Sequence, residues 1–218
     1  MIIDMRTYTL FPGLIAGYVK DYEEKGLPLQ KKHLGDAFMG YFQTEFGPLN
    51  QVVHFWRYDS MAEREARRAR MVADPQWVAY LADNKGKFVA QVNQTIRPAP
   101  FWPVPDQYRN GPANFIDLRI YTAKSGHLAD YFKLYEAEGM KVQLGHIGHC
   151  IGYFQSGDVG PQHQIVHMWG YSDLNDRMKR RAGMAADPAW QAYIKKMTPL
   201  LATMEVKLVR PLPFSPIK

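Results

Sequence analysis

Two histidines in this chain stand in matching frames, Gln51-Val52-Val53-His54-Phe55-Trp56-Arg57-Tyr58 and Gln164-Ile165-Val166-His167-Met168-Trp169-Gly170-Tyr171. An imidazole titrates where proton transfer near neutral pH is useful, so each is a candidate general base. The alternative is structural, each ring tied to a neighbouring Tyr or backbone carbonyl across a sheet. Arg6 and Arg119 also correspond. A guanidinium can hold a carboxylate or enolate oxygen through two parallel bonds, or it can pair with the nearby Asp4 and Asp117. Tyr8 and Tyr121 could donate to a phenolate or carbonyl, or pack with satisfied hydroxyls.

Strand alternation gathers these groups. In residues 51–58 one face carries Val53 and Phe55, the other His54, Trp56 and Tyr58; Arg6 and Tyr8 share a face, as do Tyr41 and Gln43. The catalytic candidates are therefore His54, His167, Arg6, Arg119, Tyr8 and Tyr121. The substrate-contacting candidates are Tyr41, Gln43, Trp56, Tyr153, Gln155 and Trp169. A wall of aromatic surface with few polar groups is the profile of a small-molecule pocket.

The elements that must position this wall are written twice. Ile3-Asp4-Met5-Arg6-Thr7-Tyr8-Thr9 returns as Ile116-Asp117-Leu118-Arg119-Ile120-Tyr121-Thr122, 113 positions on. The same offset carries Asp74-Pro75-Gln76-Trp77 onto Asp187-Pro188-Ala189-Trp190. So long a period is a duplicated domain and not a solenoid. Each copy opens on an alternating strand. A helical face follows (Ile15, Tyr18, Val19, Tyr22), expected to stop at Gly26 and, in the second copy, at Gly139, with another helix after it. Two strands meet at Gly47-Pro48 and Gly160-Pro161, and Ser60-Met61-Ala62-Glu63 is a capping-box start for the next helix. Asp-Pro interrupts that helix, and a last strand spans about residues 88–96 and 201–209.

The order β-α-β-β-α-β is the ferredoxin-like unit, which leaves one sheet face bare for a twin to cover. The fold expected is α+β: two ferredoxin-like repeats, 1–98 and 114–218, forming an intramolecular, pseudo-dimeric α/β-barrel. A stiff Pro-rich linker, 99–113, joins them. The polar-aromatic face is expected to line the barrel, with Val53 and Phe55 packed under the helices. Trp77, Tyr80, Trp190 and Tyr193, at helical spacing, read as helix-on-sheet core, and His33 and His146 as cap or turn residues.

Composition narrows the function classes. The chain is 46% hydrophobic and 22% charged, with formal net charge +6, an ordinary globular balance. The densest basic run, Arg64 to Arg70, is interleaved with Glu63 and Glu65, and no Lys/Arg stripe with stacking aromatics appears, so nucleic acid is not expected as a partner; anionic small molecules suit the charge better. Cys150 is the one cysteine. It excludes an internal disulfide, suits a reducing compartment and reads as buried packing. No membrane-length apolar run or leader pattern is present, so a cytoplasmic protein is expected. His163 and His167 lie about 13 Å apart on a strand, too far for one ion, and no metal, dinucleotide, phosphate-loop or nucleophile-elbow motif occurs. No cofactor is expected.

Several motifs then coincide in order. Arg-x-Tyr-Thr near the start, His-x-Gly before Gly-Tyr-Phe, Gly-Pro-x-x-Gln-x-Val-His-x-Trp-x-Tyr and Asp-Pro-x-Trp-x-x-Tyr together resemble the NIPSNAP family of dimeric α/β-barrel proteins, twice over nearly the whole chain. The resemblance implies the fold and the barrel interior as the place for a site. The wider superfamily includes cofactor-free monooxygenases, isomerases, cyclases and haem enzymes, so it leaves the chemistry open. Two function classes follow. One is a small-molecule-binding enzyme doing proton-transfer or oxygenation chemistry without a cofactor on a small aromatic or enolisable, anionic compound. The other is a non-catalytic ligand-binding or protein-interaction module. Haem would require an axial ligand from the same histidines, and single-chain barrels could associate further as homo-oligomers. Where the copies differ, the second gains His149 for Asp36, His163 for Asn50 and Gly170 for Arg57, which marks the second half as the more specialised.

Overall fold

Alternation along Ile2–Leu10 produces β1, whose odd residues Ile3 and Met5 are buried on one side while Asp4, Arg6 and Tyr8 point to the other. The computed structural model describes residues 1–218. The first half continues with α1 (Ile15–Asp21), α2 (Leu27–Leu34), β2 (Phe38–Phe46), β3 (Gln51–Tyr58), α3 (Met61–Val72), α4 (Pro75–Asp83) and β4 (Phe88–Pro98). The second repeats it as β5 (Phe115–Ala123), α5 (Leu128–Leu134), α6 (Met140–Ile147), β6 (Cys150–Ser156), β7 (Gln164–Tyr171), α7 (Leu174–Ala186), α8 (Pro188–Met197) and β8 (Leu201–Pro211). No helix is long and apolar enough to cross a membrane.

All eight strands close into one antiparallel barrel in the order β1-β3-β2-β8-β5-β7-β6-β4. Each half supplies four strands, and each last strand crosses over: β4 pairs β6 from Ile96↔Ser156 to Pro98↔Phe154, and β8 pairs β2 from Phe42↔Pro211 to Phe46↔Leu208. The twin ferredoxin-like units thus cover one another's bare faces, as their order requires.

The two sheet faces are the reverse of the sequence expectation. Val53 and Phe55 line the barrel interior with Ile3, Met5, Phe42 and their counterparts, a fully buried apolar cluster. His54, Trp56 and Tyr58 lie instead under the helices, with Tyr18, Tyr22, Trp77 and Tyr80 above them. The cause is volume and hydrogen bonding. An eight-stranded barrel has room only for its own side chains, and apolar ones fill it without stranding polar atoms. The helices offer hydroxyls and guanidiniums that can satisfy a polar face.

Gly26 and Gly139 do not end their helices. Each closes a π-turn, Tyr22–Gly26 and Tyr135–Gly139, through which α1 runs on into α2 and α5 into α6. Their role is close approach: a Cβ on Gly26 would stand 2.6 Å from the Tyr80 ring, and one on Gly139 2.8 Å from Tyr193. The helix starts follow the sequence signals. Ser60 Oγ accepts the Glu63 N–H while the Glu63 carboxylate accepts that of Asp59, and Asp173 caps α7 through the Asp176 N–H. The segment after β4 is not bare linker. It packs Ala99, Phe101 and Val104 on the second half's helix-facing core and makes a short turn of 3-10 helix at Asp106–Tyr108.

Candidate active site

Burial fixes what His54 can do. The ring is 1% exposed, and its Nδ1 accepts the indole N–H of Trp56 at 2.7 Å. Burial first, then the positive charges of Arg6 and Arg68, hold its pKa well below 6.5, so the ring is neutral. A neutral imidazole carries one proton, and with Nδ1 accepting, that proton sits on Nε2. Nε2 has no partner. The result is a buried N–H donor pointing at nothing in the protein, while its one lone pair is already engaged. His167 repeats every element: Trp169 N–H to Nδ1 at 2.7 Å, pKa pushed down by burial, Arg119 and Arg181, and Nε2 unpartnered. The geometry makes both rings donors and removes the general-base reading. Leaving a donor unsatisfied costs about 1–3 kcal/mol, and the chain bears that cost twice.

Beside each histidine lies a buried acid ringed by arginines. Asp4 is fully buried and accepts Arg64 Nε at 2.6 Å, with Arg6 Nε at 3.5 Å and Arg68 Nη1 at 3.6 Å. Asp117 is surrounded likewise by Arg177, Arg119 and Arg181. One carboxylate against three guanidiniums leaves an excess of positive charge under the helices, where screening is weak. Arg6 Nη1 donates to the Tyr8 hydroxyl at 2.6 Å, and Arg119 Nε to that of Tyr121 at 2.7 Å. Arg64 and Arg68, which the sequence reading did not place at the site, point inward to Asp4. The signal that could have found them is their i, i+4 recurrence at Arg177 and Arg181, paired with the recurrence of the acid.

Aromatic side chains complete the frame. Tyr41 stacks on His54 at 4.6 Å between ring centres and shares a hydroxyl contact with Tyr18 at 2.9 Å; Tyr153 does the same with His167 and Tyr131 at 4.7 Å and 2.7 Å. Trp56 and Trp169 position the histidines from behind. Gln43 and Gln155 fall outside: Gln155 donates to the Pro98 carbonyl at 3.3 Å, and Gln43 lines neither histidine cavity. His33 and His146 reach across to the Asp-Pro turns, 2.7 Å from Asp74 and 2.9 Å from Asp187, tying α2 to α4 and α6 to α8. Cys150 is buried and free, its pKa raised by burial.

The halves part company in the space left over. The first encloses a cavity of about 260 Å³ reached by Arg6, Tyr8, His54 and Arg68, with Tyr80, Asn84, Phe88 and Gln91 towards its outer end. In the second the matching cavity is about 100 Å³. The polar and aromatic residues deep in the walls agree; the differences are Val72 to Ala185, Leu81 to Ile194 and, at the outer end, Asn84 to Met197, Phe88 to Leu201 and Gln91 to Met204. Unbranched methionine fills irregular gaps, so amides were exchanged for filling. This reverses the expectation drawn from His149, His163 and Gly170. Asn50 and His163 both hold left-handed turn positions (φ 57° and 59°). A Cβ on Gly170 would meet His149 Nδ1 at 2.4 Å and the Pro112 carbonyl oxygen at 2.8 Å. Those substitutions seat the linker and are no part of the pocket.

The profile of the NIPSNAP family matches residues 3–103 and again 116–216. NipSnap homolog 2 from zebrafish is 27% identical over 83% of this chain, and its human counterpart 25% identical over 87%. The chain spans 62% and 65% of the length of these two relatives. Among solved structures, a protein from Lactobacillus acidophilus provisionally described as a monooxygenase superposes with TM-score 0.61 at 12% identity, covering 96% of this chain and 93% of its own. One of like description from Fusobacterium nucleatum gives TM-score 0.59 at 10% identity over 100% and 97%. At such identities the likeness is one of fold.

Proposed function

Because the chain belongs to the NIPSNAP family and carries its domain twice, we propose that it is a small-molecule-binding barrel protein whose working site is the first-half cavity, and that its ligand is a small aromatic or enolisable compound held as an anion. One observation carries this reading: the buried, unpartnered Nε2–H of His54, a residue that lines that cavity together with Arg6 and Arg68. A phenolate, enolate or carboxylate oxygen supplies the missing acceptor. Tyr8 accepts from Arg6 and has its own O–H free for the same oxygen. Tyr41 and Trp56 hold the imidazole in place.

The chemistry follows from the donors. A preorganised N–H in a water-poor site stabilises charge as it develops, and losing one such donor typically costs about 10²–10³ in rate. The site therefore lowers the pKa of a bound phenol or carbon acid, whose proton passes to solvent water at the mouth, since no carboxylate lines the wall and the His54 lone pair is engaged. The resulting electron-rich anion is the common reactant of isomerisation and of cofactor-independent oxygenation; the structural neighbours are described provisionally as monooxygenases, with nothing said of a cofactor. A second reading, a non-catalytic binder, draws support from the wall itself: no Asp or Glu lines the cavity, and His54's lone pair is held by Trp56. The single buried thiol of Cys150 suits the cytoplasm. Further association of complete barrels is open to native mass spectrometry.

4-Nitrophenol tests the reading, since its phenolate absorbs in the visible. Binding should lower its pKa by about one unit, equivalent to about 1.4 kcal/mol. His54→Gln should abolish most of the shift and His167→Gln little of it. Absence of any shift with the unmodified protein sinks the proposal. Oxygen uptake or solvent-deuterium exchange with an enolisable ligand then separates enzyme from binder.

A further inference from the structure

The outer end of the first cavity holds a polar group of opposite character to His54. Asn84 is 4% exposed and follows the last turn of α4; its Nδ2 donates to the Tyr80 carbonyl at 2.8 Å. That bond fixes the amide, because exchanging O and N would set two carbonyl oxygens face to face. Oδ1 is left buried with no donor, and the hydroxyl of Tyr80, which also lines the cavity, is unpartnered too. Both residues line the cavity, and Leu81, Asn84, Phe88 and Gln91 continue into a shallow depression outside it, so this is the mouth. Tyr8 stands between the two ends, 4.9 Å from the His54 ring and 5.6 Å from Phe88.

The unpartnered polar group at the inner end, His54 Nε2–H, is a donor beside two cations, Arg6 and Arg68; Asn84 Oδ1 is an acceptor. Buried polar atoms are paired in nearly all folded proteins. Two orphans of opposite type in one cavity describe a ligand with complementary ends. The second half drops this end and keeps the first: His167 Nε2 remains an orphan, while the Asn84 position is Met197.

We propose that Asn84, assisted by Tyr80, is the specificity pole of the cavity, and that the ligand carries a hydroxyl or amino group at the end remote from its anionic oxygen, as in a hydroxylated or aminated aromatic acid. The proposal rests on the anion reading above and adds the class of compound. A site built to bond a substrate hydroxyl discriminates strongly against the analogue lacking it, because its own buried group is then left unpaired.

Calorimetric titration of the full chain with benzoate, 3-hydroxybenzoate and 4-hydroxybenzoate tests it. At least one hydroxybenzoate should bind ten-fold or more tightly than benzoate. Asn84→Ala, which removes the amide oxygen without filling the mouth as a methionine would, should erase that preference. The reciprocal Met197→Asn with Met204→Gln should create a second, hydroxyl-preferring site in the same chain. Equal affinity for all three acids, or a preference that survives Asn84→Ala with unchanged melting temperature, overturns the specificity role and leaves the anion site standing. Failure of all three acids to bind, with no phenolate shift, overturns both.

Discussion

The inner ends of the two cavities are built from the same residues; the outer ends are not. Around His54 and His167 the indole, the stacked tyrosine, the buried acid and its three arginines recur within tenths of an ångström. At the mouth, Asn84, Phe88 and Gln91 face Met197, Leu201 and Met204. The inner constellation thus belongs to the stability of every copy. The space above it, about 260 Å³ against about 100 Å³, is what separates the two halves.

The largest expected effect tests the shared part. Asp4→Asn or Asp117→Asn leaves three guanidiniums without their carboxylate and should destabilise by about 3–5 kcal/mol. Urea unfolding should give the two variants the same loss; a gap beyond about 1 kcal/mol would show that the inner ends are not equivalent.

Next is pH. Both histidines have folded-state pKa values well below 6.5, so between those values and 6.5 the unfolded chain binds more protons and stability rises with pH. Their contribution is complete above about pH 6.5 and is lost as pH falls towards the folded values, by about 1.4 kcal/mol per pH unit for each ring. His54→Gln should reduce the slope of the urea midpoint between pH 6.5 and 5 by its own share, leaving those of His167 and of His149, whose pKa burial also lowers. If it removes the whole slope, only one half titrates as described.

Gly26→Ala and Gly139→Ala press a methyl against Tyr80 and Tyr193 and should each cost about 1–3 kcal/mol in melting experiments. Only Gly26→Ala should also weaken ligand binding, since Tyr80 lines the open cavity. Smallest is Arg57→Gly. It breaks an exposed pair with Asp36 at 3.3 Å, and should shift stability by less than about 1 kcal/mol. The converse Gly170→Arg must displace His149 and the linker, and should cost several times more.

The duplication, the element order and the barrel were legible because period-two and period-3.6 patterns recur in both copies. The residues of the wall were legible for the same reason. Which way that wall faced was not: alternation separates two faces without naming the outer one, and polar residues on a strand face inwards or outwards according to what the helices bring. Tyr80 read as core, and it is buried as expected, but an unpartnered hydroxyl leaves no trace in spacing. The π-turns were invisible too, since a glycine that ends a helix and one that admits a neighbouring ring look alike in sequence. The divergence between copies pointed to the right comparison at the wrong positions. Histidines drew attention at 149 and 163, whereas two plain methionines had closed a pocket.

The crossing of the last strands has a consequence in time. The β2 edge from Phe42 to Phe46 finds its partner only in Leu208 to Pro211. At roughly 5–20 residues per second, translation leaves that edge open for roughly 10–30 s after it emerges. An unpaired strand edge can pair with another nascent copy, so polysomes making this chain carry a brief window for misjoining that a single half, dimerising after release, would not have.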